Sequence, residues 1–522
     1  QFEGETRRDY LATQIGTYQY LAATRLQLGE PKRAFATAEQ SAARLLADRL
    51  AVRDSATYAV PPVATLQRAL GDDDALLVYA NAGTGHDLGT FVLTRERLVG
   101  IEVPDSTFAA EAFTDYGDRL YDLNRQTIAQ RQQQRAAAGL AAGAAQGLGD
   151  TEAVVQFYRR LLVEARQPAR GVRASSDSVD AAARDDLARR FYDLLVAPVA
   201  EHVAGKTNLI IVPSGPLGFL PFETLIDADG RYLAETHHVR YAPSATVWHT
   251  LRQRSSQRDR REPLLAFGGA VYTGTSGPAR GTSDSVRYDN TAEVEAAQRQ
   301  AYAELTRGGN LETTYDALGY GSWTDLPGTR AEVEGLAETV DGAEIVTGTA
   351  VSEAEIKQRS ASGGLARYQM LHFATHGLVV PEVPELSALV LSQDSTSTTT
   401  AGEDGYLRMA EIADLDLSAD VVTLSACETG LGQLVGGEGV VGLTQAFIEA
   451  GAGGVSVSLW QVADQSTSTL MQAVYQRMET EGEPFDVALT TVKRAFIAGA
   501  YGEQYRAPYV WAPFVYYGHS EQ

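Results

Sequence analysis

Two segments decide how the rest of the chain is read: Leu371-His372-Phe373-Ala374-Thr375-His376-Gly377 and Leu424-Ser425-Ala426-Cys427-Glu428-Thr429-Gly430. Each is a short apolar run that ends in polar residues and a glycine, which is how a buried strand gives way to a turn. Around them the pattern predicts further strands at Leu209–Val212, Leu264–Phe267, Glu344–Thr347 and Val455–Trp460, with a last one near Phe514–Tyr517. Helical spacing fills the intervals, over Ala331–Val340, Ser352–Arg359 and Val440–Ala450, with two more helices after Trp460. Such alternation builds a mostly parallel sheet flanked by helices, so the C-terminal half is α/β.

In such sheets working groups collect beyond the carboxyl ends of the strands. His376 closes one strand and Cys427, the chain's one cysteine, closes the next long one. Successive strands are usually neighbours, which would set the two residues across roughly 5 to 7 Å. A thiol becomes a nucleophilic thiolate when a base stands beside it, and a neutral imidazole fills that role near neutral pH. Gly377 leaves its backbone N–H open, and with the Cys427 N–H it could hold an oxyanion. The competing reading is plain: a lone cysteine is commonly a small buried hydrophobe, and a histidine at a strand end a satisfied polar residue. His372 is the rival base, but it lies inside its strand and reads as structural.

Outward from this half, residues 1–55 read as a helical hairpin. Leu11, Ile15, Tyr18, Ala22 and Leu26 recur at helical spacing, Gly29-Glu30-Pro31 breaks the pattern, and Ala34, Phe35, Ala38, Ala42 and Leu46 resume it. A helix, a Gly-Pro turn and a second helix resemble one tetratricopeptide-type unit, which cannot bury its face alone. Either further repeats precede it or it packs on the next part of the chain. Residues 56–207 hold strands near 75–103 and then long helices, interrupted by low-complexity stretches at 132–149 and 168–178. Residues 208–522 form the main α/β domain, with a Gly-, Thr- and Ser-rich insertion at 271–322 and a polar loop at 393–405.

Composition narrows the function classes. Asp+Glu 67 against Lys+Arg 44 leaves a net charge of −23, which argues against a broad nucleic-acid or anionic-membrane surface. No apolar run approaches the ~20 residues that span a bilayer. One cysteine makes neither an internal disulfide nor a multi-cysteine zinc site, and the eight histidines are scattered, so no metal and no cofactor is expected. The chain begins Gln-Phe-Glu without a signal-like apolar core, which reads as a fragment of a longer, cytoplasmic protein. Other motifs fail on spacing. Gly437-Glu438-Gly439-Val440-Val441-Gly442 fits G-x-G-x-x-G but does not follow its strand directly, and Ala204-Gly205-Lys206-Thr207 lacks the first glycine of a phosphate loop.

At His376-Gly377 and Ala426-Cys427 the sequence resembles the caspase–separase–gingipain clan of cysteine peptidases, and in its fuller strings the CHAT branch, caspase-like domains commonly fused to tetratricopeptide repeats. The strings are Val212-Pro213-Ser214-Gly215-Pro216-Leu217, Leu220-Pro221-Phe222-Glu223, Leu326-Pro327-Gly328-Thr329-Arg330 with Glu332, Gly437-Glu438-Gly439, Ser458-Leu459-Trp460 and Trp511-Ala512-Pro513-Phe514, besides the two quoted first. The resemblance covers about 208–518 and implies a caspase-like fold and a peptide-bond hydrolase, with His376 as general base and Cys427 as nucleophile. It also implies a protein or peptide substrate and a regulatory protein partner acting through the helical repeats.

In caspase-type sheets the substrate pocket is walled by loops that here are Ser322–Arg330 and Trp460–Asp464. Asp325 and Asp464 would then pair with a basic side chain, and Trp460 would supply an apolar wall. The opposite preference stays open, because Arg330 would favour an acidic or neutral group, and Asp464 also suits a helix N-cap. Two other functions stay open as well: a catalytically silent interaction scaffold, and acyl transfer through the same dyad.

Overall fold

The computed structural model describes residues 2–54, 59–80, 87–104, 110–126, 150–164, 174–255, 262–272, 315, 323–380, 386–393, 403–426, 433–435, 439–460 and 464–519. The strands, in chain order, are β1 (Asp74–Ala80), β2 (Leu88–Leu93), β3 (Leu98–Val103), β4 (Asn208–Val212), β5 (His238–Tyr241), β6 (Glu262–Gly268), β7 (Glu344–Thr347) and β8 (Tyr368–Ala374). They continue as β9 (His376–Leu378), β10 (Ala388–Val390), β11 (Tyr406–Arg408), β12 (Val421–Ser425), β13 (Gln433–Val435), β14 (Gly439–Val441), β15 (Gly454–Ser458) and β16 (Phe514–Gly518).

Eleven of them form one sheet in the order β3-β2-β1-β4-β5-β16-β15-β12-β8-β6-β7. Pairing is parallel except along β3-β2-β1 and between β16 and β15. The α/β class expected from the alternation is therefore observed: a mostly parallel sheet flanked by helices. Short, mainly apolar runs such as Asn208–Val212 and Val421–Ser425 suit it because a strand covered on both faces is buried along nearly its whole length.

The principal helices are α1 (Phe2–Gln27), α2 (Pro31–Glu39), α3 (Arg44–Arg53), α4 (Val63–Ala69), α5 (Asp150–Glu164), α6 (Ala174–Leu195), α7 (Ala245–Ser255), α8 (Pro327–Thr339), α9 (Glu353–Ala361), α10 (Leu443–Ala450), α11 (Asp464–Glu481) and α12 (Phe485–Ile497). Helix α2 stops sooner than its apolar spacing suggests. Ala43 takes a left-handed φ of 46°, which breaks the run and re-aims α3. The glycine-rich segment before α10 also differs from the expected helix start at Val440, because residues 439–441 form a strand paired with β13.

The N-terminal helices pack on the sheet. Leu26, Ala34, Phe35 and Ala38 share a core with Leu76, Val78, Phe91 and Trp248, and Phe35 meets Phe91 edge-on at 5.8 Å. Burying a phenylalanine this fully stabilises by about 1.5–3 kcal/mol. A polar tie adds specificity to the docking. The Glu39 carboxylate, fully buried at the end of α2, accepts from the backbone N–H groups of Ala245 and Thr246 at the start of α7. Burial pushes its pKa up, against the lowering effect of those N–H groups and the Thr246 hydroxyl.

Candidate active site

β8 carries His372 in its interior and leads through Thr375 to His376. At that bend the chain leaves the large sheet, and β9 joins a three-stranded sheet ordered β11-β10-β9. His376 stands opposite Val390 and Gly377 opposite Leu389. His376 is 7% exposed, and its Nε2 lies 2.8 Å from the Thr324 carbonyl. A carbonyl can only accept, so Nε2 carries the proton and Nδ1 is the basic nitrogen of the neutral ring. Trp323 and Tyr272 flank the imidazole, with ring centroids 4.9 and 5.0 Å away.

Tyr272 organises this corner. Its hydroxyl donates to the Val390 carbonyl at 3.0 Å, lies 2.8 Å from the Thr375 hydroxyl, and accepts from the His376 backbone N–H. Burial pushes the phenol up to about 12, so it remains a donor at neutral pH. The Tyr272 backbone N–H donates to Asp325 Oδ1 at 3.0 Å, while the Trp323 indole N–H donates to the Tyr406 hydroxyl at 3.0 Å. Segments far apart in sequence thus hold one imidazole in one orientation.

The LPGTR string explains the approach of the 323–325 segment. Pro327 takes the first turn of α8, where its missing N–H is not needed. The Thr329 hydroxyl accepts from the Gly269 N–H at 3.0 Å and donates to the Leu326 carbonyl at 2.7 Å. A Cβ on Gly268 would sit 2.6 Å from the Thr329 carbonyl, so only glycine permits this contact between β6 and α8.

β12 runs parallel to β8 with Ser425 beside Ala374, so the two strands that end toward His376 and Cys427 are direct neighbours. Ala426 is buried, and its carbonyl accepts from the Ser458 hydroxyl at 2.5 Å. Cys427 lies outside the described residues, as do 428–432 and Gly437-Glu438. His372 points elsewhere. Fully buried, it sets Nε2 2.8 Å from Glu332 and Nδ1 3.1 Å from the Tyr475 hydroxyl, which in turn lies 3.2 Å from the Thr423 hydroxyl. Both ring nitrogens are engaged in the core between β8, β12, α8 and α11.

Of the residues read as pocket walls, Asp325 is exposed with one oxygen holding the Tyr272 N–H. Trp460 is buried, and its indole N–H donates to the Tyr509 carbonyl at 3.0 Å. Asp464 opens α11, and its side chain lies outside the described residues. Arg330 is exposed and lies 3.8 Å from Glu334 on its own helix. Sequence reasoning missed Tyr272, Trp323 and Thr324. Tyr272 and Trp323 sit at the two ends of the insertion, and no spacing rule ties either to a histidine so far away.

A model described as the CHAT domain matches residues 185–519. The chain belongs to the CHAT-domain family. Tetratricopeptide repeat protein 28 of Mus musculus is 24% identical over 330 residues, 56% of this chain and 12% of that protein. The human protein of the same name gives 24% over 330 residues, 11% of its length. The chain thus spans a small part of the curated relatives it matches. Among solved structures, the Saccharomyces cerevisiae separase–securin complex aligns over 94% of this chain and 34% of its own, at 10% identity and TM-score 0.45. The Arg-specific cysteine proteinase gingipain R aligns over 76% of this chain and 74% of its own, at 10% identity and TM-score 0.33. Among the described residues of this CHAT protein, no helix is long and apolar enough to cross a membrane, and no group of three or more His, Cys, Asp or Glu is arranged to hold a metal ion.

Proposed function

We propose that this CHAT protein is a cysteine endopeptidase working through a His376/Cys427 dyad. The observation that carries the reading is the imidazole of His376. It is held by Thr324 through Nε2, which makes Nδ1 the basic nitrogen, and it follows on β8, the strand beside the one that leads into the lone cysteine. Nδ1 takes the Cys427 thiol proton, and the thiolate attacks the substrate carbonyl carbon. The backbone N–H groups of Gly377 and Cys427 would receive the negative oxygen. His376 then passes its proton to the departing amine, and water, activated by the same imidazole, hydrolyses the thioester.

Asp325, Trp460 and Asp464 belong to this reading as weak candidates for the substrate pocket. So does a regulatory protein partner acting through the N-terminal helices, in a cytoplasmic protein with low basal activity. The test is to incubate wild type, Cys427→Ala and His376→Ala with lysate protein and map new N-termini by mass spectrometry. Cuts made by wild type and by neither variant support the dyad, and their flanking residues report the pocket. Cuts that persist in Cys427→Ala would exclude it. An amine acceptor appearing on the new C-termini would turn the reading to acyl transfer.

A further inference from the structure

We propose that Arg159 on α5 is a positioning residue for Leu459 and Trp460 at the end of β15, and that α5 thereby couples the N-terminal part of the chain to substrate binding. This rests on the peptidase reading, in which Trp460 belongs to the pocket wall. The residues leading to it are tied one by one. The Ser458 hydroxyl holds the Ala426 carbonyl, immediately before Cys427. The Leu459 N–H donates to the Pro513 carbonyl at 2.9 Å, and Trp460 is tied to Tyr509. The Leu459 carbonyl accepts from Arg159 Nη2 at 2.8 Å, and Leu459 itself is buried.

That last tie comes from a helix outside residues 185–519, the span matched by the CHAT domain. The Arg159 guanidinium also lies over the Phe219 ring, 5.4 Å from its centroid, and Nη1 is held by Gln156 at 3.3 Å. Phe219 closes a short helical turn, Gly215–Phe219, which packs against both α5 and the β13–β14 hairpin that follows Cys427. One side chain on α5 therefore touches the strand end leading into the pocket loop and the turn supporting the loop after the nucleophile. A planar guanidinium can donate to a carbonyl and stack on a ring at once, which a lysine ammonium does less well. Without Arg159 the Leu459 carbonyl loses a charge-assisted partner at the point where the strand becomes loop.

The experiment is hydrogen exchange on the full chain in wild type, Arg159→Ala and Arg159→Lys, read at residues 459–464 and, as a control, at 208–212. Cleavage of denatured casein is followed in parallel, with Cys427→Ala as the blank. Arg159→Ala should speed exchange at 459–464 about ten-fold and leave 208–212 unchanged, with Arg159→Lys between. Where casein is cleaved, KM should rise several-fold with kcat largely kept. Unchanged exchange at 459–464 in Arg159→Ala overturns the proposal even if Cys427-dependent cleavage stands. Faster exchange there, without any Cys427-dependent cleavage, upholds the positioning role of Arg159 and removes the peptidase reading, and the coupling to substrate binding with it. Faster exchange at 208–212 as well would mark general loosening and count against a specific role, with Arg159→Gln as the milder check.

Discussion

The two halves of the large sheet are built alike and end differently. β1, β4 and β5 run parallel on one side, and β15, β12, β8, β6 and β7 run parallel on the other. The C-terminal strand β16 lies between, parallel to β5 and antiparallel to β15, so the halves point in opposite directions. Their carboxyl ends fall on opposite edges. At the first edge β4 runs into Pro213-Ser214-Gly215, beside a cleft whose described lining, including Ser41, Tyr79, Ser214 and Pro243, holds no His, Cys or carboxylate. At the second edge stand His376 and the approach to Cys427. The open edge that an α/β sheet offers is common to both halves, and the chemistry depends on what the strand ends carry.

The halves also differ in how their cores are cross-linked. In the first, Arg240 on β5 bridges Asp74 at 3.2 Å and Asp486 at 3.1 Å, all of them buried. Burial pushes Asp74 up, but Arg240, the Gly71 N–H and the Asn208 amide together hold it below the usual carboxylate range. In the second, the His372–Tyr475–Thr423 chain joins strands and helices chiefly through hydrogen bonds, with Glu332 the one carboxylate in it. A pair of buried full charges tolerates truncation badly, because the remaining charge is stranded.

The largest expected effect tests the two edges. Cys427→Ala or His376→Ala should lower proteolysis on the order of 10³-fold or more, while Ser214→Ala at the other edge stays within about two-fold. A comparable loss in Ser214→Ala would erase the distinction. Next comes the cross-linking: urea unfolding should show Arg240→Ala costing about 3–5 kcal/mol and Tyr475→Phe about 1–2 kcal/mol. Equal costs would mean that charge is not what separates the halves.

A third prediction concerns pH. Glu353 accepts from the Asp404 and Gly405 N–H groups at 2.7 and 2.6 Å, with Lys357 on its other oxygen at 3.0 Å. Lys357 also binds Glu411, and Arg408 binds both Asp404 and Glu411. Burial, joined by repulsion from Glu411 and Asp404 and opposed by Lys357, raises Glu353 to about 7. The folded chain thus keeps a proton that the unfolded chain has released above 4.5. Stability from this group is full below that value and is lost as pH rises through about 7. Relative to Glu353→Gln, wild type should lose about 2 kcal/mol from about pH 5 to about pH 7. His237, beside β5, acts with the opposite sign. Burial, aided by Arg494, lowers it to about 4, so its contribution is present above 6.5 and lost as pH falls through about 4. Parallel curves for wild type and Glu353→Gln would discard the carboxylate as a pH-sensitive contact.

The smallest effect is local. Tyr272→Phe keeps the ring against His376 but removes the hydroxyl shared by Val390, Thr375 and the His376 N–H. Activity should fall about ten-fold, with a smaller stability loss than Arg240→Ala gives. Loss of folding without selective loss of activity would make the tyrosine a core residue and nothing more.

Much of the fold is legible in the chain because strand and helix patterns are local. The runs at 208–212, 344–347, 368–374 and 421–425 announce themselves by composition, whereas Gly377, which reads as the turn after a strand, lies inside β9 opposite Leu389. Val440 and Val441 read as the start of a helix, whereas they belong to a strand paired with β13, because two apolar residues after glycines fit either period. The small strands β9, β10 and β11 are three residues each, too short for any alternation to register.

Order along the chain is enough to name the sheet class, the strand ends and the two residues worth testing there. Those follow from side-chain periodicity and residue chemistry, which act within a few positions. Which partners hold His376, how β16 reverses the sheet between its halves, and why α1–α3 dock through Phe35 and Glu39 depend on the folded chain. Thr324, Tyr272 and Tyr406 reach the imidazole or its neighbours only after the backbone has crossed the sheet edge several times. A hydrogen bond needs its partner within about 3 Å, and contacts between distant segments leave no period in the sequence to read.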